Sequence, residues 1–91
     1  MQLQTGNLFG TAVDNQGQAL PGVTVTLSGE GAPQAQVTDA QGRFRFPGLM
    51  PGDYQVKAEL EGFSPAANPD VRIGVGRNTE IEVTLQPAVG G

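Results

Sequence analysis

The stretch that decides the fold is TDAQGRFRFPGLMPGDYQVKA, residues 38–58. Its opening, Thr38-Asp39-Ala40-Gln41-Gly42, has turn chemistry. An Asp side chain can bond the backbone two residues on, and Gly accepts a positive φ. A strand follows at once. Phe44 and Phe46 alternate with Arg43 and Arg45, which puts the rings on one sheet face and the guanidiniums on the other. Pro47-Gly48-Leu49-Met50-Pro51-Gly52 excludes a helix, because Pro restricts itself and the residue before it. The chain is expected to cross over there, with Leu49 as a plug. Tyr54, Val56, Ala58 and Leu60 then resume the alternation, with Gln55, Lys57, Glu59 and Glu61 on the opposite face. These two strands carry two of the Phe residues and the single Tyr, so they form the centre of the expected core.

Working outward, Gly6 to Asp14 reads as a first strand with Leu8, Gly10 and Ala12 on one face. Phe9 and Val13 fall on the other, and an apolar pair there needs cover from a neighbour, a loop or a partner. Asp14-Asn15-Gln16-Gly17 is a turn and Leu20-Pro21-Gly22 a corner. In the strand Val23 to Leu27, Val23, Val25 and Leu27 point inward and Thr24 and Thr26 outward. Ser28 to Pro33 is a loop, and Gln34 to Val37 a short, weak strand. Gly62 to Pro69 contains two prolines and is expected to carry the chain from one sheet to the other. Val71, Ile73 and Val75 mark a sixth strand. From Thr79 to Gln86 a seventh points Ile81, Val83 and Leu85 inward. The fold class is therefore all-β, a seven-stranded antiparallel Greek-key sandwich, with a closed barrel as the structural alternative.

Composition narrows the function. Ninety-one residues allow one domain. The net charge of −4 and the scattering of five basic residues argue against a nucleic-acid partner or an anionic membrane surface. No stretch is long and apolar enough for direct membrane insertion, and no secretory signal is visible at the start. With neither Cys nor His, thiolate sites, disulfides and every His-based triad are absent, so the enzyme reading is no and no cofactor is expected. The expected organisation is a lead-in at 1–5, the sandwich at 6–86 and a linker or tail at 87–91, with Met1 beginning a mature or excised domain.

Taken in order, Gly10-x-x-x-Asp14-x-x-Gly17-x-x-Leu20-Pro21-Gly22-Val23-x-Val25-x-Leu27, Thr38-Asp39-x-x-Gly42-x-Phe44-x-Phe46 and Leu49-x-Pro51-Gly52-x-Tyr54-x-Val56 resemble the carboxypeptidase regulatory-like domain family. The resemblance runs from about residue 7 to residue 86. It implies a transthyretin-like sandwich with no activity of its own. Such modules are appended to secreted carboxypeptidases, to TonB-dependent outer-membrane receptors and to bacterial surface chains, and the B-type repeats of collagen adhesins are related. A secreted, periplasmic or cell-surface location therefore rests on the resemblance. Ala12-Val13 departs from the family's usual Val-polar pair, which makes the first strand's outer side unusually apolar. The adhesin isopeptide bond is not expected, because the sole Lys, Lys57, lies on an outward face and the first strand has none. Transthyretin-like hydrolases of purine breakdown depend on His residues that this chain lacks.

Other constellations have plainer readings. Glu59 and Glu61 share a face, as do Glu80 and Glu82, at a spacing of roughly 7 Å, near that of an inverting glycosidase pair. On solvated faces they read as solubilising charge that discourages edge pairing. Asp14 and Asp39 each stand three residues before a Gly and read as turn formers; with Asp53 and Asp70 they do not give the dense oxygen spacing of a calcium site. The candidate interaction surface is Phe9, Val13 and Phe63, with Arg43, Arg45 and Arg72 as polar partners. The expected function is a structural module that docks a partner protein, another domain of its parent or a copy of itself. A glycan or peptide module, marked by an exposed aromatic, and a subunit of a self-assembling surface structure are the alternatives.

Overall fold

The computed structural model describes residues 4–88. They form seven strands: β1 (Gly6–Val13), β2 (Thr24–Ser28), β3 (Gln34–Val37), β4 (Arg43–Leu49), β5 (Gly52–Glu59), β6 (Ala66–Ile73) and β7 (Asn78–Thr84). Two sheets result, ordered β4-β1-β7 and β3-β2-β5-β6. This is the all-β sandwich that the alternation predicts. One ladder, β1 with β7, runs parallel, from Asn7 opposite Asn78 to Val13 opposite Thr84. Alternation fixes which face a side chain takes and says nothing of strand direction.

The inward residues of both sheets meet in one core. Leu8, Ala12, Phe44, Phe46 and Val83 from the first sheet pack with Val25, Leu27, Tyr54, Val56, Ala58, Val71 and Ile73 from the second. Phe44 and Phe46 stand edge to face, with ring centroids 6.1 Å apart, a geometry that suits the aromatic quadrupole. Gly10 lies opposite Phe44 in the β1/β4 ladder. A Cβ at Gly10 would overlap the Phe44 ring, so the missing side chain makes room for the aromatic one.

The sheets are joined where the central stretch indicates. β4 belongs to one sheet and β5 to the other, and Leu49, the expected plug, is buried. The strand nevertheless continues through Pro47 and Gly48 by means of a bulge. Leu8 faces Phe46 while Gly6 faces Leu49, so β4 carries one more residue than β1 over that span. Gly48 takes up the irregularity with a φ of +66°, and its N–H donates to Asn7 Oδ1 at 3.0 Å.

The expected crossing at residues 62–69 is corrected. β6 pairs with β5 in the same sheet. Pro69 lies inside β6, which an edge strand tolerates because one side of its backbone has no ladder to complete. The crossing falls at Gly74 to Arg77, where Arg77 N–H bonds Gly74 C=O and Gly76 N–H bonds Thr5 C=O. Val75 lies in this turn and is exposed, whereas Val71 and Ile73 are buried.

Asp14 and Asp39 build matching turns. Asp14 Oδ1 accepts from the N–H groups of Gln16 and Gln18, at 2.8 and 2.9 Å, and Asp39 Oδ1 accepts from those of Gln41 and Arg43, both at 2.9 Å. The buried Thr38 ties the second turn to the corner at Leu20–Val23. Its Oγ1 accepts from Val23 N–H at 2.9 Å and donates to Leu20 C=O at 2.7 Å. Of the expected tail, Pro87 bridges to Phe63 and Ala88 N–H bonds Gly62 C=O. Residues 1–3 of the lead-in and 89–91 of the tail lie outside the described residues.

Candidate interaction surface

The outer face of the β4-β1-β7 sheet is set by register. Phe9, in the central strand, has Arg45 of β4 on one side and Glu80 of β7 on the other. One step along the same face, Thr11 lies between Arg43 and Glu82. Asn7 closes the end of the row. It accepts from Gly48 N–H through Oδ1 and donates from Nδ2 to Asn78 Oδ1 at 2.9 Å, tying all three strands together.

Phe9 is half-buried among these tips. It lines an open groove of about 730 Å3 with Thr11, Arg43, Arg45 and Glu80, to which β3 and the following turn add Gln36, Val37 and Asp39. Among the described residues the ion pairs are Lys57–Glu59 at 3.6 Å and Arg72–Asp53 at 3.2 Å. Arg43 and Arg45 take part in neither. An aromatic body surrounded by unpaired charged tips can receive an apolar side chain at its centre and polar groups at its rim.

The six residues singled out from sequence separate. Phe9, Arg43 and Arg45 meet on this face. Val13 does not, and its expected exposure is corrected: it is 6% exposed, because the Asp14 turn brings Ala19 back into a bridge with it. The loop, not a partner, supplies its cover. Phe63 is half-buried at the end of the core, against Pro87. Arg72 lies on β6 of the other sheet, where its ion pair with Asp53 is almost fully exposed and so weak. Sequence reasoning missed Asn7, Gln36 and Val37. The first needs the β4 bulge to acquire its role, and the other two belong to a strand with no charge or aromatic to mark it.

Glu59, Glu61, Glu80 and Glu82 are all exposed. Among the described residues no group of three or more His, Cys, Asp or Glu is placed to hold a metal ion. Among the described residues the clearly shifted group is Tyr54, whose pKa is raised by burial and then by the Glu30 carboxylate. Its hydroxyl donates to Met50 C=O at 2.6 Å, which makes it a structural anchor for the crossover.

The sequence pattern of the carboxypeptidase regulatory-like domain family matches residues 7–86. The chain belongs to that family. It is 38% identical over 94 residues to the TonB-dependent transporter Oar of Myxococcus xanthus, which covers 97% of this chain and only 9% of Oar. Among solved structures, the minor pilin GBS52 of Streptococcus agalactiae superposes with a TM-score of 0.76 at 21% identity, covering 98% of this chain and 47% of the pilin. The 5-hydroxyisourate hydrolase of Klebsiella pneumoniae gives 0.67 at 28% identity, covering 91% of this chain and 92% of the hydrolase. The sandwich is thus transthyretin-like.

Proposed function

We propose that this domain is a non-enzymatic accessory module of a larger secreted or cell-envelope protein. It docks a partner protein or another domain on the outer face of the β4-β1-β7 sheet. The observation that carries the reading is Phe9, half-buried in register between Arg45 and Glu80, with Arg43 and Arg45 outside the ion pairs formed among the described residues. Aromatic and Arg side chains are the residue types that anchor protein interfaces.

The lack of a catalytic set supports the absence of activity. The chain has no His, and its candidate carboxylates lie exposed, with neither pair flanking a cleft. Kinship with a small part of Oar supports an appended role and an envelope location. A glycan role would want an exposed aromatic face. The large exposed apolar residues among those described are Val37, Met50 and Val75, none of them aromatic, which favours a protein partner.

Immunoblotting of fractionated source cells with an antibody to this domain tests the reading. The expected result is a band much larger than the 91-residue chain, in the envelope or secreted fraction. A free chain of this size in the cytoplasm would overturn it.

A further inference from the structure

The sandwich has four edge strands, β4 and β7 in one sheet and β3 and β6 in the other. Three of them carry features that discourage pairing with another strand. On β4, Asp39 takes both outward groups of Arg43: its N–H bonds Arg43 C=O, and its carboxylate accepts from Arg43 N–H. Gly42 C=O bonds Ala12 N–H, so by alternation the outward backbone positions are Arg43, Arg45 and Pro47. Pro47 has no N–H to offer, and Arg45 alone remains open. β6 contains Pro69, and β7 presents Glu80 and Glu82.

β3 has none of these features. Gln34-Ala35-Gln36-Val37 contains no charge, no Pro and no bulge, and all four residues are exposed, Val37 to 61%. Its backbone directions follow from its neighbour. Thr38 N–H bonds Val23 C=O, and Val23 N–H bonds Thr38 Oγ1. Thr38 and Gln36 therefore face β2, and Ala35 and Val37 turn their N–H and C=O groups to the open side.

We propose that β3 is a self-pairing edge, joining antiparallel to β3 of a second copy of this chain about a two-fold axis through Gln36. In that register Ala35 of each copy lies opposite Val37 of the other. The four outward N–H groups then meet four outward C=O groups. Ala35 covers the exposed Val37 across the seam, and Gln36 meets its own counterpart, each amide offering both a donor and an acceptor. A second copy is the occupant the edge fits. An isologous contact supplies its own complement, and the chain's acidic residues lie off this strand, so its net charge of −4 is not concentrated at the seam. Two four-residue strands bury far less than the roughly 800 Å2 per partner of a stable interface. The pairing is therefore weak between free copies and becomes effective where copies are held side by side. Gln36 and Val37 also line the Phe9 groove, so Phe9→Ser, which leaves the β3 edge untouched, is the variant that separates the two contacts.

Sedimentation equilibrium from micromolar to millimolar concentration tests it, using wild type, Gln36→Lys, Gln36→Glu and Val37→Lys, each first shown to melt within a few degrees of wild type. The wild-type average mass should rise toward that of a dimer, the three variants should stay monomeric, and an equimolar mixture of Gln36→Lys with Gln36→Glu should dimerise more strongly than wild type. Phe9→Ser should behave as wild type. A wild type that stays monomeric, an association that Gln36→Lys leaves intact, or a charge-swapped mixture that does not pair would overturn the proposal.

Discussion

At Gly10 the absence of a side chain is a packing element. The Phe44 ring occupies the space a Cβ would need, so Gly10→Ala should destabilise by about 1–3 kcal/mol through overpacking. Urea denaturation with an unchanged m-value would read this. Thr38 is the reverse case, a buried polar group satisfied twice over. Thr38→Val keeps the shape and strands the Val23 N–H, at a cost of about 1–3 kcal/mol, read in the same titration. Tyr54 makes one contribution to stability depend on alkaline pH. The unfolded chain ionises a tyrosine near 10.0, while burial and Glu30 hold Tyr54 protonated above that value in the fold. This contribution is therefore present in full below about pH 10 and is lost as pH rises through the raised folded-state value. Tyr54→Phe, less stable at neutral pH for want of the Met50 hydrogen bond, should show a smaller loss above about pH 10 in melts across that range.

Elements that rest on local chemistry are the ones the sequence makes legible. The Asp39 turn is readable because an Asp three residues before a Gly has one economical way to fold. Asp39→Ala should remove the two hydrogen bonds its carboxylate accepts from the Gln41 and Arg43 N–H groups and cost about 1–2 kcal/mol, and Asp39→Asn, which keeps an acceptor, should recover most of it by thermal melt. Alternation likewise locates β2, β4 and β5 and the Leu49 plug. What fails depends on partners distant in sequence. Pro69 looks like a break, yet an edge strand accommodates it, which is why the crossing between sheets lies later than expected. Val13 looks exposed because its alternation is taken alone, and only the folding back of Ala19 buries it. The parallel direction of β1 and β7 has no signature in a period of two.

At the scale of the molecule, half of the candidate surface was readable and half was not. Phe9, Arg43 and Arg45 declare themselves as outward residues of alternating strands, but their meeting on one face depends on the register of β1 with β4. Arg72 and Phe63 obey the same local rules and end elsewhere, on the other sheet and at the end of the core. The family's ordered turns and strands specify a scaffold, and on the outer face of its three-stranded sheet this chain carries Phe9, an aromatic residue that the core does not use.

The most direct test of that account is amide hydrogen exchange, compared between the isolated domain and the same residues within the native gene product. Docking on the outer face of the β4-β1-β7 sheet predicts slower exchange confined to β1, the open Arg45 amide and the turn at residues 39–42, with the outer side of β5 unchanged. Identical exchange in both forms, or protection on β5 and β6 instead, would contradict it.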